Sequence, residues 1–173
     1  MDIKYIFLDI DGTLTAALEA PSRLAGEAVR KSRENGHKVF VCTGRNMPII
    51  GQDILRLGFD GIIASAGAHI EVSDKVLYDS CLPEETIQEC LHVFHAHGIY
   101  CRIENREGIY IDPQMAELLQ SADPEKTNSE LVRMQKELEK GIPMLPYEQY
   151  PGQGAYKICF TSTTLEAVEE PKK

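Results

Sequence analysis

Hydrophobic positions in this chain come first as unbroken runs and later at helical spacing. Lys4-Tyr5-Ile6-Phe7-Leu8-Asp9-Ile10-Asp11-Gly12-Thr13-Leu14 is apolar until it ends in two carboxylates and a glycine. Rich in β-branched and aromatic residues and without alternation, it predicts a strand covered on both faces, as in a parallel sheet. Ser22 to Asn35 predicts a helix, with Ser22 as N-cap, Gly36 just past its end, and Leu24, Ala28 and Val29 as its apolar stripe. Lys38-Val39-Phe40-Val41-Cys42 is a second buried strand and ends in Thr43-Gly44-Arg45. Strand, helix and strand at this spacing make a parallel βαβ unit with a right-handed crossover. Met47 to Leu57 follows as a predicted helix, with Pro48 in its first turn and Gly58 as terminator. Gly61 to Ser65 is a third strand, and Ile70 to Tyr78, broken at Ser73-Asp74-Lys75, is a hairpin.

From about Leu82 the pattern changes, which divides the chain into 1–81 and 82–173. Pro83 to His97 predicts a helix with Ile87, Cys90, Leu91 and Phe94 on one face and Gly98 ending it. Short strands follow at Ile99 to Glu104 and Gly108 to Asp112, then helices at Pro113 to Gln120 and Ser129 to Lys140. A strand at Ala155 to Thr161 precedes a charged tail from Glu166 to Lys173. Gly152-Gln153-Gly154 lacks the strand-to-helix setting of a nucleotide loop and is expected to be a flexible connection.

A length of 173 residues suffices for one domain or one and a fraction, and 43% hydrophobic with 26% charged residues is ordinary for a globular chain. No apolar run approaches membrane-spanning length, and the first residues lack the pattern of a secretory signal, so a cytoplasmic protein without a membrane partner is expected. A net charge of -9 excludes nucleic-acid binding as a main role. Five cysteines without a C-x-x-C pair predict reduced, mostly buried thiols. Of His92, His95 and His97, only the first two share a helical face, and solvated side chains near a helix C-terminus are the expectation.

The candidate chemistry lies at the strand ends. Asp9 and Asp11, two apart, point the same way while Ile10 turns into the core. Such a pair can supply a nucleophile for phosphorus and a general acid/base, and it attracts a hard divalent cation. The alternative is an Asp-Gly turn that merely closes a core strand. Thr43 emerges at the same sheet edge just before a predicted helix N-terminus, so Thr43, Gly44 and Arg45 make a sensible phosphate cradle. A loop with a buried Thr and a surface Arg is the competing reading.

Asp9-x-Asp11-Gly12-Thr13 and Thr43-Gly44-Arg45 closing successive strands resemble the first two motifs of haloacid dehalogenase-type phosphatases, closest to the Cof-like branch with a type IIB cap. The resemblance implies a Rossmann-like three-layer α/β core with a parallel sheet, incomplete here, plus an α+β cap domain from residue 82. It implies Asp9 as nucleophile, Asp11 as general acid/base, and Gly12, Thr13, Thr43, Gly44 and Arg45 around the phosphate. Mg²⁺ would be held by the Asp9 carboxylate and the Asp11 carbonyl. The implied activity is hydrolysis of small phosphorylated metabolites such as sugar phosphates through an aspartyl phosphate.

This chain departs from the family in two respects. Ala66 stands where an Asn is common, and the later Lys and Gly-Asp-x-x-x-Asp motifs have no counterpart, since neither Lys157 nor Glu169-Glu170 has the right setting. The expectation is therefore a fragment of a longer phosphatase or a truncated relative, whose open sheet edge could drive homo-oligomerisation. A non-catalytic phosphate-binding module and a phosphomutase-type phosphotransferase are the alternatives.

Overall fold

The computed structural model describes residues 2–16, 19–123, 129–162, 164 and 166–169. The chain forms two compact units, Met1–Ser80 and Cys81–Lys173.

In the first unit a five-stranded sheet has the order β1 (Tyr5–Leu8), β2 (Lys38–Cys42), β3 (Gly61–Ala64), β4 (His69–Val72), β5 (Lys75–Asp79). β1, β2 and β3 run parallel, and the β4–β5 hairpin continues the sheet antiparallel. The crossover helix α1 (Arg23–Glu34) begins where the Ser22 hydroxyl accepts from the Ala25 N–H, and Gly36 leaves it at φ +85°. Val29 of α1 packs with Val39 and Val41 of β2 and with Ile10, Leu14, Ile50 and Ile54 in one buried cluster. Gly61 is required by close approach: a Cβ there would lie 2.5 Å from the Glu71 carbonyl oxygen and 2.9 Å from the Phe40 ring.

Two expectations for this unit fail. The predicted helix from Met47 to Leu57 is split into a 3₁₀ turn, Met47–Ile49, and a four-residue helix α2 (Gln52–Leu55). Ile50 and Gly51 between them are extended at ψ 108° and 149°, because anchoring Ile49, Ile50 and Ile54 in the core takes precedence over helical continuity. β1, expected to be covered on both faces, exposes Tyr5 and Phe7 at 67% and 55%, since it is the end strand of the sheet. Their rings stack with Phe40 on the face away from the Val39–Val41 cluster.

The second unit pairs α3 (Glu84–Ala96) with a four-stranded sheet of order β8 (Met144–Pro146), β7 (Ile109–Ile111), β6 (Tyr100–Glu104), β9 (Lys157–Thr161). Helices α4 (Pro113–Ser121) and α5 (Ser129–Glu139) lie between β7 and β8 in sequence, and α6 (Glu166–Glu169) follows β9. β7 and β8 are parallel and the other neighbours antiparallel. Cys101 and Ile103 of β6 pack with Ile87, Leu91, Tyr110 and Ala155. The alternate residues Arg102 and Glu104 point to the opposite face. There the Arg102 guanidinium donates to Glu104 through Nε and Nη2 and to Glu137 of α5 through Nη1 at 2.9 Å, all three residues being fully buried. Arg133 and Lys157, a quarter exposed, pair with Glu137 and Glu104 at 2.8 and 3.1 Å and join this core to solvent.

β8 went unpredicted because three residues ending in Pro146 carry no period. α6 occupies part of the stretch expected to be a charged tail, of which residues 170–173 lie outside the described residues. The cysteines are free, but Cys42 and Cys81 are exposed, contrary to the expectation of mostly buried thiols: Cys42 closes β2 at the sheet's edge and Cys81 follows its last strand. Burial pushes the Cys101 thiol up to about 12, and beside it Asp112 works in the same direction. No described helix is long and apolar enough to cross a membrane.

Candidate active site at the strand ends

Parallel pairing brings the C-terminal ends of β1, β2 and β3 to one edge of the sheet, where open α/β sheets place their ligands. Leu8 lies beside Val41, so Asp9 leaves β1 at the level where Cys42 leaves β2. Ile10 is fully buried and Asp9 is exposed. The chain then wraps the Ile10 carbonyl, which accepts from the N–H groups of Thr13, Leu14 and Thr15 at 3.3, 3.0 and 3.0 Å. Gly12 makes the wrap possible at φ +81°, and its own N–H donates to the Thr15 carbonyl. Gly12 and Thr13 remain exposed on the outside of this turn.

The loop after β2 closes on the other side. Thr43 is buried, and its hydroxyl oxygen accepts from the Arg45 N–H at 3.2 Å. The loop after β3 ties to it, with Ser65 N–H donating to the Arg45 carbonyl at 2.8 Å and Ala66 N–H to the Thr43 carbonyl at 3.0 Å. Arg45 then crosses to the first loop and grips Asp11 in a bidentate pair, Nε to Oδ2 at 2.9 Å and Nη2 to Oδ1 at 2.6 Å. Gly44, between Thr43 and Arg45, is exposed, and a Cβ there would meet no atom of the described residues within 4 Å. Thr43, Gly44 and Arg45 thus stand beside Asp11 as the motif spacing predicts. The helix N-terminus expected to help hold an anion there is missing, because only the 3₁₀ turn follows.

The third loop, where Ala66 stands in place of the family's common Asn, joins the same edge. Ser65 and Ala66 both have positive φ, 51° and 56°, at the edge that holds the carboxylates. Such strain costs about 1–3 kcal/mol per residue and gathers at functional sites. The Ser65 hydroxyl is buried without a hydrogen-bond partner among the described residues. Alternation around Ala64 and Ser65 could have suggested an inward hydroxyl; nothing in the sequence signals the strain.

The donors fit a hard cation in kind. The Asp9 carboxylate is exposed at the strand end and the Asp11 carbonyl follows two residues later, both oxygen ligands as Mg²⁺ requires. In number they are a partial set. The four lysines of this unit cannot add charge here: Lys4, Lys38 and Lys75 precede or open strands at the opposite edge of the sheet, and Lys31 lies in the last turn of α1 leading there.

Comparison with known proteins bears on the family and the fold. A model of the haloacid dehalogenase-like hydrolase family matches residues 6–172. YkrA of Bacillus subtilis (strain 168), a protein provisionally named a phosphatase, is 31% identical over 91 residues, which cover 53% of this chain and 35% of YkrA. Among solved structures, a haloacid dehalogenase-like hydrolase from B. subtilis superposes with a TM-score of 0.73 at 21% identity, over 98% of this chain and 65% of that one. The subclass IIB sugar phosphatase BT4131 gives 0.69 at 22% identity, over 98% and 62%. These likenesses are likenesses of fold. The chain spans about a third of YkrA and under two thirds of either solved chain.

Proposed function

Because this chain belongs to the haloacid dehalogenase-like hydrolases, we propose that its first unit carries the nucleophile and acid/base half of a Mg²⁺-dependent phosphomonoesterase acting on small phosphorylated metabolites. The observation that carries this reading is the bidentate Arg45–Asp11 pair, which unites the two motifs at one sheet edge while leaving the Asp9 carboxylate exposed beside it.

In the proposed reaction an Asp9 oxygen attacks phosphorus, the ester P–O bond breaks, and Asp11 gives a proton to the departing alkoxide. Asp11 then takes a proton from water, whose oxygen attacks the aspartyl phosphate and releases phosphate and free Asp9. In the geometry described, both Asp11 oxygens accept from Arg45, so the donating step requires this clasp to open. Buried Thr43 and the strained Ser65–Ala66 turn fix the loop that faces the phosphoryl group. Mg²⁺, held by the Asp9 carboxylate and the Asp11 carbonyl, would neutralise phosphoryl charge. The second unit takes the position in the chain of the family's cap and is proposed to select the substrate.

The full catalytic set is proposed for the protein in which the open edge of β1 is paired by further polypeptide, bringing the Lys and acidic ligands that this sheet edge lacks. A non-catalytic phosphate-binding role is the second reading, favoured by the placement of all four lysines of this unit away from Asp9. Phosphate release by that paired protein from an aryl phosphate and a panel of sugar phosphates, with and without Mg²⁺, separates the two. Metal-dependent release that falls by about 10⁴-fold or more in Asp9→Asn supports the enzyme, a loss of about 5.5 kcal/mol of transition-state stabilisation. Release that survives in that variant removes Asp9 as nucleophile; phosphate binding without release establishes the binding role.

A further inference from the structure

We propose that the second unit binds a transition-metal ion through His95, Cys101 and Asp112, independently of the carboxylates at the end of β1. One ligand atom from each of these residues lies within 4.8 Å of the other two. Cys101 is on β6, and Asp112 follows β7 where the β6–β7 ladder brings the two together: Asp112 N–H donates to the Cys101 carbonyl at 3.2 Å, and Cys101 N–H donates to Asp112 Oδ2 at 2.6 Å. His95 comes from the last turn of α3, with Nε2 3.0 Å from the same Oδ2. Two ligands are thus locked by a strand pair and the third is held by a helix packed on the same strand through Leu91.

The chemistry of the set is selective. Sulfur, imidazole nitrogen and carboxylate oxygen suit Zn²⁺ or Co²⁺, not the hard cation expected at Asp9. Tetrahedral bonds of about 2.0–2.3 Å put ligand atoms roughly 3.3–3.8 Å apart. The His95 ring, about half exposed, has room to make that adjustment, whereas Cys101 and Asp112 are buried. A hydrogen-bonded Asp112 tying α3 to β6 would account for the histidine and the amide. Packing with Leu91 and Tyr110 accounts for the burial of Cys101, but not for the place of its sulfur within 4.8 Å of both other donors. On binding, the sulfur–metal bond forms as the thiol proton passes to solvent. Three protein ligands leave a fourth position, and beside the cluster is a cavity of about 420 Å³ lined by His95, Tyr100, Asp112, Gln114 and Tyr147, so water or a small anion can complete the shell.

Titration of the 173-residue chain with Co²⁺, followed by absorption, tests the site. One equivalent is expected to produce the near-ultraviolet band of a thiolate–cobalt bond with the strong visible bands of tetrahedral Co²⁺, and Zn²⁺ is expected to remove both. Cys101→Ser loses the thiolate band. His95→Ala, at a half-exposed position the fold tolerates, weakens binding by at least the roughly 10- to 100-fold that even outer-shell partners cost. Asp9→Asn and Cys159→Ser leave the spectrum unchanged, so failure at the sheet edge and failure here are read separately. Absence of a thiolate band in the unmodified chain, or binding unchanged in His95→Ala, overturns the proposal; that second variant decides the matter even if Cys101→Ser does not fold.

Discussion

Each unit of this molecule contains an arginine whose Nε and Nη2 both donate to one carboxylate, and the two pairs are put to opposite uses. Arg45 holds Asp11 at the rim of a sheet, where the carboxylate keeps a third of its surface in water. Arg102 holds Glu104 and Glu137 in a core where all three are shut away from solvent. The second arrangement commits charge to architecture: each desolvated group costs several kcal/mol, and the network is tolerable only while every partner is present. Burial alone would oppose the Arg102 charge, but Glu104 and Glu137 more than offset it, so it stays firmly protonated. At the rim, water can still reach the carboxylate, so its partner can be exchanged. Solvent access separates a pair that builds a fold from one that serves a site.

The largest effect is expected where water cannot compensate. Arg102→Met leaves two buried carboxylates without their guanidinium and should destabilise the second unit by about 3–5 kcal/mol. Chemical denaturation followed by the tyrosines of this unit measures it. Adding Glu104→Leu and Glu137→Leu to Arg102→Met should restore most of that loss, because Lys157 and Arg133 are exposed enough to be solvated. A triple variant no more stable than Arg102→Met would show that the network stabilises by attraction and not merely by mutual neutralisation.

Arg45→Ala tests the other side of the comparison. Folding should change little, whereas turnover in the paired, active protein should fall by about 10²-fold, the scale of losing one positioned electrostatic contact. A melting temperature that falls as far as in Arg102→Met would mean that the rim pair is structural as well. Asp60 lies between these extremes. Its carboxylate, 13% exposed, is pushed up by burial, but the Val39 N–H at 3.0 Å, Lys38 and Arg33 together hold it below the usual carboxylate range. A depressed folded pKa stabilises above the unfolded value of about 3.9 and is lost as pH falls through the lower folded one. Asp60→Asn should therefore cost about 1–3 kcal/mol at pH 7, and its deficit should shrink on acidification below about pH 4. A deficit independent of pH would assign the loss to the Val39 hydrogen bond alone.

The same contrast explains what could be read from the sequence. β2, the β4–β5 hairpin and the α1 caps are legible because each is a local choice: an apolar run, a Ser73-Asp74 turn that adopts φ 48° and 61°, a Ser22 hydroxyl within reach of an N–H. Asp9, Asp11 and the Thr43–Arg45 turn are legible because a fixed spacing from a strand end places them. What escaped depends on partners far away in the chain. Nothing near Arg102 announces that Glu137, 35 residues on, will bury it, and nothing near His95, exposed as expected, announces that the β6–β7 ladder will bring Asp112 to it. The exposed flank of β1 was hidden for the opposite reason. An apolar run reports what a strand is suited to touch, and Tyr5 and Phe7 have no such cover among the described residues.

Strain offers the smallest and sharpest test. All four described non-glycine residues with positive φ, Ser65, Ala66, Ser73 and Asp74, lie in the first unit. Ser and Asp at the hairpin have polar side chains that tolerate this region; Ala66 has none. Relieving an alanine there recovers about 1–2 kcal/mol, from which the freer unfolded chain of glycine takes back about 0.5–1 kcal/mol. Ala66→Gly should thus stabilise the first unit by roughly 0.5 kcal/mol, and Ala66→Asn by a similar amount, since an amide can bond locally in that conformation. If Gly stabilises while turnover in the paired protein falls, the Ser65–Ala66 turn is held strained for the site, as Arg45 is held for Asp11. If both stability and turnover rise, the strain is incidental to the chemistry, and the rim of this sheet is shaped by the Arg45–Asp11 clasp and the Thr43 carbonyl alone.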